Sequence, residues 1–340
     1  MIEIQQVDPF DAAAVDAWWE VYATALRADR GDDAVLWSRE ETRTELQQDS
    51  ATLERYAFLA QRDGTVVGAA GLALPLKDNA HLADVAVYVA PDERRKGVGS
   101  ALLAELEARA TARSRRTLLA ETSWAASAPA DGTGHPGVEF ARKHGYALAL
   151  GDRESVLDLP VAEELLDRLA AQAPEDDYVL RSWIGPVPED IVAEWAELSS
   201  SLDTEAPTGD LDIEAETPDV AQIRESEELV AAQGRTSFCV VALAPDGRVA
   251  AYSQLVVSGD DASAYQWGTL VRREDRGHRL GMRVKLENLC RLHREMPGTP
   301  RVVTYNAESN VHMLAVNVAL GFRPSGRLAE LQKRIGSVGA

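Results

Sequence analysis

Fourteen consecutive residues hold the side chains best spaced for phosphate chemistry. They read Val87-Tyr88-Val89-Ala90-Pro91-Asp92-Glu93-Arg94-Arg95-Lys96-Gly97-Val98-Gly99-Ser100. A β-rich run enters a turn that holds three cations and two glycines, and an apolar-periodic helix leaves it. A helix N-terminus presents unpaired backbone N–H groups and the positive end of the helix dipole, a natural seat for an anion. Gly97 and Gly99 let the backbone approach a ligand closely, and Arg94, Arg95 and Lys96 add charge. The expected ligand is a phosphate or pyrophosphate. A Walker A loop would end in Gly-Lys-Ser/Thr, and none is present. A dinucleotide fingerprint would need a third glycine where Leu102 stands.

The pattern recurs. Thr269-Leu270-Val271-Arg272-Arg273-Glu274-Asp275-Arg276-Gly277-His278-Arg279-Leu280-Gly281-Met282 repeats strand, basic turn and helix, with Arg279 in place of the first glycine. Each copy follows a hairpin with an Asp-Gly turn, at Asp63-Gly64 and Asp246-Gly247. Gly64 precedes Arg94 by 30 positions and Gly247 precedes Arg276 by 29. Each half then ends alike, in His144-Gly145-Tyr146 and Leu320-Gly321-Phe322, a helix closed by glycine before an aromatic-led strand.

Arg-x-x-Gly-x-Gly between a strand and a helix resembles the GNAT-family N-acetyltransferases, and two copies resemble a tandem GNAT protein. The resemblance implies an α/β (α+β) fold of two GNAT domains, each a mixed, mostly antiparallel sheet flanked by helices. It implies acetyl-CoA as cofactor. Residues Arg94, Arg95, Lys96, Gly97, Val98, Gly99 and Ser100 would wrap its pyrophosphate, and Val87, Tyr88 and Val89 would pair with the pantetheine arm. In the second half the same roles fall to Leu270, Val271, Arg276, Gly277, His278, Arg279, Leu280 and Gly281, with Asn306 and Asn310 as further cofactor contacts. The implied reaction is acetyl transfer to a primary amine of a small molecule or peptide. Many members place a tyrosine four positions before the closing glycine; Ala141 and Asn317 stand there. The competing reading is therefore a non-catalytic acyl-CoA-binding or sensing protein.

Acetyl transfer to an amine needs a group that accepts a proton and an acid or donor for the leaving thiolate. Tyr88, Glu121 and Tyr305 are the candidates, and Asp84, Tyr265 and Gln266 also lie on the strands before the motifs. A cationic acceptor would suit Asp29, Asp32, Asp33 and Trp37 in the first half and the acidic stretch 205–216 in the second.

Length and composition bound the rest. The chain has 340 residues, enough for two domains with cores of their own. The spacing predicts domains at 1–158 and 178–340 joined by a helix and linker at 159–177. A net charge of −20 argues against nucleic acid. No apolar run approaches a membrane span, and the N-terminus lacks the features of a signal peptide. Two cysteines point to a reducing cytoplasm, and with six scattered histidines they suggest no metal cluster. A monomer or homodimer is expected.

Overall fold

The computed structural model describes residues 1–260 and 262–336. In chain order its elements are β1 (Ile2–Gln6), α1 (Ala12–Arg30), α2 (Arg39–Gln47), β2 (Leu53–Arg62), β3 (Thr65–Pro75), β4 (Leu82–Val89), α3 (Val98–Ala112), β5 (Thr117–Ala125), α4 (Pro136–Lys143), β6 (Ala147–Asp158), α5 (Glu163–Ala170), β7 (Val179–Ile184), α6 (Val192–Ser200), α7 (Leu202–Glu205), α8 (Val220–Ala232), β8 (Thr236–Leu243), β9 (Val249–Val257), β10 (Ala264–Val271), α9 (Leu280–Glu295), β11 (Arg301–Ala307), α10 (Val311–Leu320) and β12 (Arg323–Arg334).

Local chemistry sets many of these bounds. Asp11 accepts from the N–H groups of Ala13 and Ala14 to open α1, and a Ser38–Glu41 capping box opens α2. Asp63 and Gly64 both adopt positive φ, the backbone a tight β2–β3 hairpin demands. Gly321 stops α10 in the left-handed region.

The chain forms two compact units. The first comprises Met1–Gly151, Gly209–Glu214 and the stretch from Gly326. Its strands run β1-β2-β3-β4-β5-β12. One face packs Ala83, Val85, Leu102, Leu106 and Leu118 under α3, and the other packs Leu59 and Ala69 against Val15, Trp18 and Tyr22 of α1. The second comprises Asp152–Thr208 and Ala215–Ser325, with strands β6-β11-β10-β9-β8-β7. There α9 covers one face through Met282, Leu286, Leu289 and Leu292, and Trp195 of α6 covers the other. Each unit is the expected mixed sheet, mostly antiparallel, with helices on both faces.

The expected division at 158 and 178 does not describe these units. β12 pairs antiparallel with β5 from Gly326↔Ala125 to Arg334↔Thr117, and β6 pairs with β11 from Asp152↔Ala307 to Asp158↔Arg301. The last strand of each half therefore lies in the other half's unit. The reason is physical: β5 and β11 each need a partner on their outer edge, and an antiparallel ladder accepts any strand of matching alternation, whatever its place in the chain. Residues 159–177 are likewise no free linker, because Leu165, Leu166 and Leu169 pack into the core under α9. The end of the expected second domain, 337–340, lies outside the described residues.

Candidate active site

In each unit two parallel strands part company at mid-sheet. β4 and β5 pair only over Leu82–Asp84 with Thr117–Leu119. Beyond Asp84, β4 stays bonded to β3 as far as Val89 and β5 to β12 as far as Ala125, so a cleft opens between them. In the second unit β10 and β11 pair only over Ala264–Tyr265 with Val302–Val303, and a bulge between Gln266 and Gly268 re-aims β10. Val87, Tyr88 and Val89, and likewise Leu270 and Val271, lie on these parted stretches.

The basic turns sit beside the clefts and share one backbone form. Arg95 and Gly97 are left-handed in the first (φ 65° and 90°), Gly277 and Arg279 in the second (φ 94° and 56°). Each loop thus uses one glycine and one arginine for two left-handed positions. Gly97 and Arg279 are the N-caps of α3 and α9, and neither helix receives a side-chain cap. The first N–H groups are left for an external acceptor. No acidic residue stands in the first turn of either helix, so the dipole meets no competing carboxylate there. These features fit a phosphate-bearing cofactor.

Residues 15–132 match the model of the Acetyltransferase (GNAT) family. A solved tandem GNAT protein from the clavulanic acid biosynthesis pathway superimposes with a TM-score of 0.79, 28% identity and 99% coverage of both chains. A GNAT domain is thus matched in the first half, and the whole chain is similar in fold and sequence to a tandem GNAT protein. A GCN5-related N-acetyltransferase from Sphaerobacter thermophilus shares the fold at a TM-score of 0.69 and 18% identity, covering 98% of this chain and 96% of its own. A mycothiol acetyltransferase of Stackebrandtia nassauensis is 40% identical over 127 residues, 37% of this chain and 38% of the relative's length.

The two units differ in what lines the face opposite α3 or α9. In the first, Asp84 stands where the β4–β5 ladder ends. It is reachable by solvent, yet surrounding protein strips much of its hydration and raises its pKa to about 6. Tyr88, two residue pairs further on the same face, packs edge-on to Trp18 and Tyr22 at 5.7 and 5.0 Å. Burial, with Glu121 and Glu45 nearby, pushes its phenol above the usual tyrosine range. Glu121 lies directly across from Glu330 of β12. In the second unit Tyr265 holds the position of Asp84, and Tyr305 that of Glu121. The Tyr305 hydroxyl donates to Glu154 at 3.1 Å, which also accepts from Ser325 at 2.7 Å. Glu154 pairs with Tyr305 just as Glu330 pairs with Glu121. The exchanged strand brings a glutamate to each cleft, carried from a distant part of the chain where no local signal marks it.

Several expected roles change. Arg94 is committed to Asp29, which it grips at 2.6 and 3.0 Å, and to the carbonyls of Ala25 and Val89. Its guanidinium locks the turn to α1 instead of facing a phosphate, and Asp29 is thereby withdrawn from acceptor binding. Lys96 pairs with Glu93 at 3.0 Å, and Arg95 is exposed. Val98 is buried and offers only backbone. In the second loop Glu205 holds Arg273 and Arg276, Gln172 holds Arg279, and Asp176 pairs with His278 and Arg283. Leu280 is buried beneath the loop. Glu205 therefore serves the loop; elsewhere in the acidic stretch Thr117 donates to Asp212 at 2.7 Å, and Asn79 pairs with the backbone of Glu214. Asn310 caps α10 by accepting from Met313 N–H, and Asn306 accepts from Asn317 at 2.6 Å. Gly99 has a packing duty, since a Cβ there would stand 3.2 Å from the Phe140 ring, whereas one at Gly281 would meet Val271 at an ordinary 3.6 Å.

Proposed function

We propose that the chain is an acetyl-CoA-dependent N-acetyltransferase whose first unit performs the transfer to a primary amine of a small molecule or peptide. The observation that carries this is Asp84, a carboxylate of raised pKa at the residue where β4 and β5 part. Near neutral pH it is ionised yet basic enough to take a proton from an ammonium acceptor. Asp84, Glu121 and Glu330 line one face and favour a cationic acceptor. The free N–H groups of α3, with Arg95 beside them, would hold the cofactor phosphates, and the unpaired β4 edge at Val87–Val89 would hold its arm. Acetyl-CoA supplies the thioester carbonyl that the amine attacks and the thiolate that leaves. Tyr88 lies too deep in its aromatic packing to serve as a ready acid, and Ala141 offers none. The leaving group therefore takes its proton from solvent or from the acceptor's own ammonium.

The second unit reads better as a cofactor-binding copy. Tyr305 is engaged by Glu154, and Tyr265 provides no carboxylate. The cytoplasm is the compartment we infer from the cysteine usage.

Calorimetric titration of acetyl-CoA into wild type, Arg95→Glu and Gly281→Asp tests the loading of each unit. Thiol release against a panel of mono- and diamines, with wild type and Asp84→Asn, tests transfer. Turnover lost in Asp84→Asn with cofactor binding intact is expected. Cofactor binding without turnover on any amine would favour a sensing protein.

A further inference from the structure

Ser100 sits in the first turn of α3, three residues after the N-cap Gly97, and its hydroxyl lies 3.0 Å from Nε2 of His144 at the end of α4. The imidazole is held in place from its own helix, with its ring 4.6 Å from that of Phe140. Phe140 in turn fills the space left by the absent side chain of Gly99. The second unit has the same helices at the same spacing, with Met282 at the place of Ser100 and Leu320 at that of His144. Both are buried and share one apolar cluster. The polar pair is therefore not demanded by the fold, which closes this junction equally well without it.

We propose that Ser100 and His144 form a proton-coupled phosphate latch at the first unit's cofactor loop, tightening its hold on the phosphates of coenzyme A when the imidazole is protonated. The inference rests on the cofactor reading above. A neutral imidazole can accept the serine proton at Nε2, which turns the hydroxyl away from the helix terminus. A protonated imidazole can only donate. Ser100 Oγ must then accept, and its O–H is released toward the loop where the helix N–H groups already point. One protonation adds a cation and aims a donor, and both favour a phosphate. By reciprocity a bound phosphate raises the proton affinity of His144.

The groups around His144 set the operating range. Partial burial lowers the pKa below the ordinary histidine value, Lys143 on α4 and Lys333 on β12 also oppose protonation, and Glu107 on α3 favours it. Lys333 and Glu107 are themselves paired at 2.7 Å, so their fields at the imidazole largely cancel. The ligand's own charge is then the largest change the imidazole meets.

Acetyl-CoA affinity is measured by calorimetry from about pH 8 to 5.5 in a Gly281→Asp background, which leaves the first unit as the reporting site. Compared are the parent, His144→Gln, Ser100→Ala, and Ser100→Met with His144→Leu, the last copying the packing of the second unit. The parent should gain about fivefold more affinity on acidification than any variant; titration of the cofactor's own phosphate is common to all and cancels. Nuclear magnetic resonance of the His144 ring in wild type should show its pKa move up on saturation with acetyl-CoA but not with acetyl-pantetheine, which lacks the phosphates. Parallel pH profiles in parent and variants, or an equal shift with acetyl-pantetheine, would overturn the latch while leaving the cofactor reading intact. Failure of the parent and wild type to bind acetyl-CoA at any pH would overturn both.

Discussion

Two ionisable side chains stand where desolvation works against their charge, and they do so with opposite sign. Asp84 has its pKa raised from 3.8 to about 6. The folded protein therefore binds more protons than the unfolded chain between those values, and stability falls as pH rises through that window. Asp84→Asn removes this cost. The variant should melt above wild type near pH 8 and level with it near pH 3.5, while kcat/KM for the amine drops by about 10²- to 10⁴-fold. In wild type that rate should rise through an apparent pKa near 6. A variant less stable than wild type at pH 8 would mean that the carboxylate holds the strand end together. Lys285 is the converse case. Only 2% of the residue is exposed, its ammonium lies 5.5 Å from the Phe322 ring, and its pKa falls to about 7 from 10.5. Here the unfolded chain binds the extra proton, so stability rises with pH between 7 and 10.5. Lys285→Met should stabilise the protein by on the order of 2 kcal/mol at pH 7, with the gain vanishing toward pH 10.5 in denaturant titrations. Its neighbours Val284 and Leu286 are apolar in the sequence, but the desolvation of the ammonium is set by tertiary packing around the helix.

At the scale of elements, the strand–turn–helix units were legible because local rules determine them. Apolar periodicity, Asp-Gly turns and glycine stops each act within a few residues. What the glycines do was only half legible. Arg279 reads as an intrusion at a glycine site, yet the backbone makes Arg279 and Gly97 equivalent in the left-handed region, and Gly277 equivalent to Arg95. Gly99 and Gly281 look interchangeable in sequence and are not. A methyl at Gly99 would press on Phe140 at 3.2 Å, and one at Gly281 would rest on Val271 at 3.6 Å. Gly281→Ala should therefore be neutral or stabilise by up to ~1 kcal/mol through lower unfolded-state entropy. Gly99→Ala should cost about 1 kcal/mol as α4 is pushed off α3. Paired denaturant melts decide this, and equal effects would show that α4 yields freely. The ion pairs were illegible for another reason. Whether Arg94 faces a phosphate or Asp29 depends on where α1 ends in space, and that is a tertiary fact.

At the scale of the whole molecule, the duplication was readable but the exchange of final strands was not. A ladder is built from backbone groups, which carry no mark of a strand's place in the chain. Ala329 and Leu331 of β12 enter the core under α3, Lys333 pairs with Glu107, and Gln332 accepts from Asp212 N–H. The first unit thus depends on residues nearly two hundred positions beyond its other strands. Ending the chain at Pro324 removes none of residues 1–151 but strips β5 of its ladder from Gly326↔Ala125 to Arg334↔Thr117. Burial of Leu331 alone accounts for roughly 1.5–3 kcal/mol, and an unpaired β5 edge adds exposed backbone groups to that loss. The truncated chain should lose hydrogen-exchange protection in β4, β5 and α3 while β9 and α9 keep theirs, and it should lose acetyl transfer with it. Retained protection in α3 would mean that the first unit closes its sheet without β12, and that Glu330 is the only thing the exchange contributes to the cleft.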